Sequence, residues 1–408
     1  MKVRKVHSLT GRITSDLMLK AFKAVKKNRG AAGIDKVSIK MFEQNRDENL
    51  TRLMKDLKCG NYQPLPLMRR YIPKAPGKFR PLGIPAVRDR VAQEVIRRLI
   101  EPYFEPYFSN QSFGFRPHRS CHDAIRELRR LWKLGYRIVL DADIKGFFDN
   151  IPHALIMKLV AKRIADGNIL RIIQRFLSSG VMENGALRKT SLGTPQGGVI
   201  SPLLANIVLD ILDNELAFYG YAFVRYADDF IVLAKSTAEI EKALELVRGV
   251  IEEKLGLQLS PEKTIITSFV GGFDFLGFHF SRRGVSIRTK SVEKFKEKIR
   301  TLTIRSHNLS DEVIIKINRV TRGYVNYYAT EFSTVKEQFF KLDQFIRRRL
   351  RCMKKKRISN NDNYRIPNRY FERSQLISLY SLALSRQRTF NGSPYCGAML
   401  KGRRRQTV

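Results

Sequence analysis

Two adjacent carboxylates, Asp228 and Asp229, lie between two apolar runs of the sequence. They close the segment Tyr226-Ala-Asp-Asp, with Phe223-Val224 before it and residues 230–233 after it. A strand, a turn and a second strand would put both carboxylates at the tip of a hairpin. Negative charge beside buried strands costs free energy unless a cation lies close, and a hard, oxygen-liganded metal ion fits. Because Asp-Asp is also common in solvated turns, this segment alone leaves both interpretations open.

A third carboxylate, Asp143, occurs in the same kind of setting. The apolar run 136–140 leads into Asp141 and Asp143, and a helix can start at 151–153. Side chains alternate along a strand, so Asp141 and Asp143 share one face, with only Asp143 at the strand end. The separation of 85 positions from Asp143 to Asp228 suits two strands of one sheet joined through helices. The three aspartates therefore predict a metal site.

These residues need a scaffold, and hydrophobic spacing and turn residues predict one. Thr14-Ser15-Asp16 can cap a first helix, and Gly60 can end a second. Apolar spacing predicts three helices from Ser291 onward, whereas the sequence beyond Ser359 reads as irregular, polar and basic. The other predicted elements are a second helix over 38–59, a hairpin over 67–85, a helix over 87–100, and alternating strands and helices over 136–280 with helices at 201–216 and 236–255.

The charge of the chain points to a polyanionic partner. Its 408 residues carry 76 Lys and Arg against 38 Asp and Glu, a formal net charge of +38. Residues 281–408 hold 31 of the basic residues and only 9 of the acidic ones. The carboxyl third is therefore the expected main nucleic-acid clamp.

Cysteine and hydropathy patterns favour an intracellular protein. Four widely spaced cysteines without a Cys-x-x-Cys pair argue against a disulfide scaffold and a structural zinc site. No apolar run has the length of a signal peptide or a membrane span. We expect a soluble, cytoplasmic, bacterial protein associated with the nucleoid, without membrane partners, as a monomer or homodimer.

Eight ordered motifs carry a resemblance. The central three are 143–149, 193–206 with Gly193-Thr-Pro-Gln-Gly-Gly, and 226–229; they resemble the palm of a reverse transcriptase. The flanking motifs resemble group II intron-encoded reverse transcriptases, also called maturases. They are Asn28-Arg-Gly-Ala-Ala-Gly-Ile-Asp, the segment 72–85, Ser112-Phe-Gly-Phe-Arg-Pro, the segment 255–264, and Phe275-Leu-Gly-Phe.

The resemblance implies an α+β right-hand polymerase fold with fingers, an antiparallel palm sheet and a helical thumb. The implied limits are an amino-terminal extension (1–60), fingers (61–135), palm (136–285), thumb or maturase X region (286–358) and a basic tail with possible DNA-binding function (359–408).

The resemblance also implies a site for two Mg²⁺ ions. Its metal ligands would be Asp143, Asp228, Asp229 and the backbone carbonyl of Ile144, with Lys263 assisting pyrophosphate departure. Adjacent strand residues point to opposite faces, so Asp228 is the stronger candidate of its pair. Implied dNTP contacts are Lys74 and Arg80 on the triphosphate, Phe148 under the sugar, Ile144 and Gln196. Implied nucleic-acid contacts are Gly33, Arg116, Gly197, Phe275, Leu276, Gly277, Arg347, Arg348 and Arg349.

The function implied is an RNA-directed DNA polymerase that extends a primer 3′-OH with dNTPs and assists splicing and mobility of a group II intron. Its partners would be RNA template, DNA primer or target, and dNTPs. The alternative is a free-standing, domesticated enzyme in DNA repair or phage defence. A maturase without polymerase activity is disfavoured by the intact aspartates, and an RNA-copying RNA polymerase by Phe148. No second Cys or His cluster follows the thumb, so we expect no HNH-type endonuclease, and the sequence after 381 matches the family poorly.

Overall fold

The structure, a computed structural model, describes residues 5–75, 77–183, 186–188, 192–194, 197–359 and 361–391. Within these ranges, the side chains of residues 74, 75, 78, 187 and 387–391 are not described. The chain divides into two compact units, Met1–Ile266 and Thr267–Val408.

Three helices open the first unit: α1 (Ser15–Lys27), α2 (Ile39–Gln44) and α3 (Arg46–Cys59). The Thr14 side chain accepts a hydrogen bond from the backbone of Leu17, so the predicted cap is present. The single helix predicted over 38–59 is wrong, because Asn45 leaves the helical region with φ −114° and ψ 40°. Gly60 ends α3 with φ +73°, a conformation that glycine adopts without strain.

The predicted hairpin over 67–85 is present. Strand β1 (Leu67–Ala75) pairs antiparallel with β2 (Lys78–Ile84), and a second short hairpin, β4 (Val181–Glu183) with β5 (Ala186–Arg188), extends the sheet in the order β2-β1-β4-β5. Helix α4 (Val87–Ile100) follows β2 over the predicted range. Helix α5 (Cys121–Lys133) begins at a capping box in which Ser120 and Asp123 bond reciprocally.

A second four-stranded sheet carries the acidic motifs. Its order is β6-β7-β3-β8, and β3 and β6 each pair antiparallel with β7. The strands are β3 (Ile138–Ala142), β6 (Ala222–Tyr226), β7 (Asp229–Ala234) and β8 (Ile265–Ser268). Apolar side chains of β3, β6 and β7 are buried against the surrounding helices. These helices are α6 (Phe147–Asn150), α7 (His153–Val160), α8 (Gly167–Ser178), α9 (Ser201–Phe218) and α10 (Thr237–Arg248), the last followed by a π-helical turn over Gly249–Lys254.

The second unit combines a small sheet with helices. Strands β9 (Phe273–Phe275), β10 (Phe278–Ser281) and β11 (Gly284–Ile287) form an antiparallel sheet in the order β11-β10-β9. The three predicted helices are present as α11 (Thr289–Leu302), α12 (Asp311–Tyr328) and α13 (Lys336–Lys355). They are followed by α14 (Asp362–Arg365), α15 (Asn368–Arg373) and α16 (Leu379–Asn391).

The prediction that the sequence beyond Ser359 is irregular is wrong for the described residues. Helix α16 packs against α12 and α13, and the buried carboxylate of Asp343 in α13 accepts hydrogen bonds from the backbone of Leu379 and Tyr380. Phe371 and Leu379 are also buried. The segment is therefore part of the fold of the second unit.

None of the helices in the described part of the chain is long and apolar enough to cross a membrane.

Candidate active site

The adjacent aspartates lie at the tip of a tight hairpin, as predicted. Strand β6 ends at Tyr226, which pairs with Asp229 at the start of β7, so Ala227 and Asp228 form a two-residue turn. Ala227 has φ +59°, a conformation that costs free energy for a residue with a Cβ atom. The surrounding contacts must therefore hold this turn in place.

Arg225 provides one of these contacts and was not anticipated from the sequence. Its side chain is fully buried. Nε lies 2.7 Å and Nη2 2.5 Å from the carboxylate oxygens of Asp213 in α9, which is also fully buried. Nη1 donates to the Ala227 carbonyl and to Asn206 Oδ1, each at 2.9 Å. The arginine thus ties the strained turn to α9 by a bidentate ion pair.

The segment before α5 supports the same turn from another side. A Cβ atom on Gly114 would lie 2.2 Å from the Ala227 nitrogen, so only glycine allows this approach. Asn206 Nδ2 donates to the Gly114 carbonyl at 2.9 Å. The sequence signals for this network are an arginine inside an apolar strand and an aspartate inside the apolar helix 201–216, both of which call for a buried partner.

Asp143 and Asp228 come together beside this turn. Asp143 follows the last residue of β3, at the strand end as predicted, and its carbonyl accepts a hydrogen bond from Ser260 at 2.8 Å. Burial, and then the nearby negative charge of Asp143, raise the pKa of Asp228, whereas the positive charge of Arg80 opposes this rise. Lys263 Nζ lies 2.7 Å from Asp143 Oδ2. Two carboxylates that repel each other and attract cationic side chains suit a cation.

The donor set fits a hard cation only in part. The bridge between Ile144 and Leu259 is made by bonds of the flanking residues Asp143 and Lys145, so it does not use the Ile144 carbonyl. Asp229 is exposed at the start of β7. Across the described residues, no three acidic, His or Cys side chains form a group able to hold a metal ion. The structure therefore brings Asp143 and Asp228 together, and Asp229 as a third ligand stays a prediction.

The residues predicted to contact the dNTP or the nucleic acid beside it have different environments. Phe147 is buried in the core, whereas Phe148 is half-buried, with ring centroids 5.3 Å apart in an edge-to-face contact. Gly197 has φ +111°, and a Cβ atom there would lie 2.6 Å from the Gly83 carbonyl of β2. Gln196 lies outside the described residues, as does the side chain of Lys74, whose backbone is part of β1.

Gly33 and Arg116 are both engaged by contacts within the protein. A Cβ atom on Gly33 would lie 2.5 Å from Ala86 Cα, so its glycine is needed for close packing. Arg116 is buried; its guanidinium pairs with Glu105 at 2.8 Å and donates to the carbonyls of Ser109 and Ser112. These contacts favour a structural role for both residues over the predicted template contact, because the Arg116 side chain is already engaged by protein groups.

The motif Phe275-Leu-Gly-Phe forms the β9–β10 turn. Phe275 pairs with Phe278 and both rings are buried, while Leu276 and Gly277 have φ +49° and +85°. Tyr327 of α12 donates to the Leu276 carbonyl at 2.8 Å. The motif therefore forms an apolar β-turn, and its contact with nucleic acid stays a prediction.

The three consecutive arginines of α13 face different surroundings. Arg349 Nη2 donates to the Thr303 carbonyl at 2.6 Å and Nε to its hydroxyl at 3.1 Å. Arg347 and Arg348 instead line a cavity between α13 and the segment that follows it. Only the latter two are available to an external ligand through that cavity.

Comparison with known proteins assigns the family. Residues 72–280 match the family model described as reverse transcriptase (RNA-dependent DNA polymerase), and residues 292–371 match the group II intron, maturase-specific domain. The chain belongs to the group II intron-type reverse transcriptases. Its enzyme class is RNA-directed DNA polymerase, the fold class predicted from the resemblance is confirmed, and the second match supports a role in intron splicing.

Three curated relatives give the extent of the similarity. Protein YkfC of Escherichia coli is 38% identical over an alignment of 289 positions that covers 62% of this chain and 76% of YkfC. The group II intron-encoded protein LtrA of Lactococcus lactis is 32% identical over an alignment of 347 positions that covers 68% of this chain and 56% of LtrA. The putative COX1/OXI3 intron 1 protein of Saccharomyces cerevisiae is 29% identical over 69% of this chain and 39% of its own length. The chain thus spans only part of these relatives.

Proposed function

We propose that this reverse transcriptase extends a primer 3′-OH on an RNA template by a two-Mg²⁺ mechanism centred on Asp143 and Asp228. The observation that supports this most is the meeting of these two carboxylates at one edge of the palm sheet. Their mutual repulsion, together with the burial of Asp228, favours a bound cation over two free charges.

The residues that would hold the ions are Asp143, Asp228 and the Ile144 carbonyl, with Asp229 completing the set. Bound Mg²⁺ would supply a lowered pKa for the primer hydroxyl and charge neutralisation for the triphosphate. Lys263, now bonded to Asp143, would exchange that contact for the departing pyrophosphate. Of these groups, Asp143 already interacts with both Lys263 and Asp228.

The dNTP would bind between the palm and the β1–β2 hairpin. Arg80 lies close enough to Asp228 for its positive charge to oppose the rise in the pKa of that carboxyl, which supports a contact between Arg80 and the triphosphate. An arginine there can grip phosphate oxygens with two parallel hydrogen bonds. Phe148, half-buried beside the core ring of Phe147, would lie under the sugar and exclude a ribose 2′-hydroxyl. Lys74 and Gln196 complete the proposed contacts.

Primer extension with a matched pair of variants tests the chemistry. Asp228→Ala should abolish Mg²⁺-dependent extension on an RNA template while leaving template affinity within a few-fold. The control is Asp16→Ala, which removes an exposed aspartate paired only with Lys20 and should retain full activity. Extension by the Asp228→Ala protein would rule out the proposed metal site.

We further propose that the same chain binds structured intron RNA and assists its splicing. The maturase-specific match over residues 292–371 and the net charge of +38 support this. In the alternative, a free-standing enzyme in DNA repair or phage defence, no intron would flank the gene. Splicing of RNA transcribed from the flanking sequence, measured with and without the protein, separates the two. Primer extension without any stimulation of splicing would favour the free-standing enzyme.

A further inference from the structure

A cavity of about 570 Å³ lies in the second unit, between α13 and the segment that follows it. We call it the arginine pocket. Its α13 wall includes Phe340, Arg347, Arg348 and Arg351, and the opposite wall includes Asn363 and Asn368. The α13 residues are spaced at i, i+7, i+8 and i+11, so they share one helical face. The volume lies within the range of roughly 300 to 1,000 Å³ that small-molecule sites occupy.

The charge of the arginine pocket is not balanced by its own walls. No carboxylate is among its lining residues. Among the described residues, Arg347 and Arg348 have neither an ion pair nor a hydrogen-bond partner. Three guanidinium groups thus line one cavity whose described walls contribute no carboxylate.

Arg351 is the buried member of this group, with 8% of its surface exposed. Its Nε donates to the Ile366 carbonyl and its Nη2 to Asn368 Oδ1, each at 2.8 Å, and it lies over the Phe371 ring. Burial, and then the positive charge of Arg347, lower the pKa of Arg351, against the attraction of Asp362. Asp362 bonds to Arg357 at 3.2 Å rather than to Arg351. A buried cation without a paired carboxylate is stabilised by a bound anion.

The rim of the arginine pocket adds an aromatic surface. The Phe340 side chain is 47% exposed, and its ring makes one edge-to-face contact, with Tyr380 at 6.1 Å. An exposed ring beside arginines suits a base that stacks while its phosphate is bound. The side-chain amides of Asn363 and Asn368 can in turn bond to base edges.

We propose that the arginine pocket binds an unpaired RNA nucleotide, with its phosphate between Arg347, Arg348 and Arg351 and its base on Phe340. This inference deepens the proposed RNA partner and does not depend on the polymerase chemistry, since it lies wholly within the second unit. An unpaired nucleotide fits better than a duplex, because only unpaired bases can leave a stack to enter a concave site. An acidic peptide would use the arginines but not the exposed ring.

A local fluorescence reporter tests the site. Trp132 is the only tryptophan of the chain, so the double variant Trp132→Phe, Phe340→Trp carries one reporter at the rim. Titration with a single-stranded RNA of about eight nucleotides, a length within the usual span of single-strand sites, should quench it by stacking. Adding Arg347→Ala and Arg348→Ala should weaken this binding by at least about tenfold, because charge-assisted bonds to phosphate are lost.

The matched control is Arg319→Ala with Arg322→Ala, two exposed residues of α12. It removes the same charge from the same unit and should change the RNA affinity by less than twofold. The same two pairs of arginine substitutions can also be made in the protein that keeps Trp132 and Phe340. Filter binding of RNA to these two variants then gives the same comparison without the tryptophan reporter. Equal losses in both would overturn the proposal, because they would show only a general charge effect.

Two further titrations identify the ligand. Inorganic phosphate should compete with RNA only at far higher concentration; tighter binding of phosphate than of RNA would make the cavity a free-anion site and refute the RNA assignment. A polyglutamate peptide that quenches the reporter more tightly than RNA would refute it in favour of a protein partner. Asp228→Ala should leave RNA quenching unchanged while extension is lost, which separates failure of this inference from failure of the proposed function.

Discussion

Arg225 fixes the position of the hairpin turn that carries Asp228. Its guanidinium bonds both to the Ala227 carbonyl inside the turn and to the buried carboxylate of Asp213. Because the turn includes a strained φ of +59° at Ala227, loss of this tie should let Asp228 move relative to Asp143. A displacement of about 1 Å at a catalytic group can cost about a hundredfold in rate.

Arg225→Lys therefore tests positioning directly. Lysine keeps a positive charge beside Asp213 but cannot make the fork of bonds that reaches Ala227 and Asn206 as well. We expect a fall in kcat of about ten- to a hundredfold and a higher Mg²⁺ concentration for half-maximal rate, with the KM for dNTP nearly unchanged. Primer extension over a Mg²⁺ series measures all three.

The control is Lys254→Met, which breaks an exposed pair with Glu215 in the same unit and should leave kinetics unaltered. A purely structural role for Arg225 would lower the amount of active protein without moving the Mg²⁺ midpoint. That outcome, established by active-site titration, would contradict the positioning role.

The raised pKa of Asp210 makes the free energy of unfolding depend on pH. Burial, and then the charge of Asp213, raise its pKa from 3.8 to about 6, against a hydrogen bond from Asn214 and the charges of Arg225 and Arg163. Between these two pH values the folded chain binds more protons than the unfolded chain, so stability falls as pH rises from about 4 to about 6 and stays lower above that. The loss is at most about 3 kcal/mol.

Asp210→Asn removes this titration. We expect the variant to be more stable than the parent protein at about pH 7.5 and equally stable near pH 4, since the neutral amide resembles the protonated acid. Urea unfolding at both pH values measures the difference in free energy. A constant difference at the two pH values would show that ionisation of Asp210 is not its origin.

At the scale of elements, α14 to α16 complete the second unit. Asp343 of α13 caps the start of α16 through the hydroxyl of Ser378 and the backbone of Leu379 and Tyr380. Removal of the segment would expose the surface of α12 and α13 that α16 covers, and would leave Asp343 and Arg351 without their hydrogen-bond partners. Uncompensated buried charges and exposed core residues are both strongly destabilising.

Two truncations distinguish the structural contribution of α14 to α16 from that of the basic residues after Asn391. Ending the chain after Ser359 should lower the thermal stability of the second unit and weaken primer extension, whereas ending it after Asn391 should preserve both. Calorimetry and limited proteolysis of the two proteins give the readout. Full stability of the protein that ends at Ser359 would contradict this prediction, because it would mean that the packing of α16 contributes little to the second unit.

At the scale of the whole molecule, the charge distribution predicts a strong salt dependence of RNA binding. Residues 392–408 contain Lys401, Arg403, Arg404 and Arg405. If these basic residues contact phosphates, deleting 392–408 should make the slope of log affinity against log salt shallower by about 0.7 to 0.9 per lost contact. Filter binding to a long structured RNA between low and moderate salt measures the slope. Identical slopes for the full and truncated chains would refute a role for these residues in RNA binding.

The sequence by itself determined the elements that hold the aspartates. The two apolar runs on either side of Tyr226-Ala-Asp-Asp predict the hairpin, and the end of an apolar run predicts the place of Asp143, because these patterns follow from local strand geometry. The helices over 87–100 and after 291 follow equally from apolar spacing. Composition likewise predicts the polyanionic partner, since net charge does not depend on the fold.

Only the tertiary structure decided which charged residues face a ligand and which hold the protein together. Arg116 and Arg349 read from sequence as nucleic-acid contacts, yet both bond to protein groups, while Arg347 and Arg348 line a cavity. The ties of Arg225 to Asp213 and of Asp343 to α16 join residues 12 and 36 positions apart. No local pattern encodes such contacts, because the partner of a buried charge is set by how helices and strands pack, and the free energy of an ion pair depends on the burial that this packing creates.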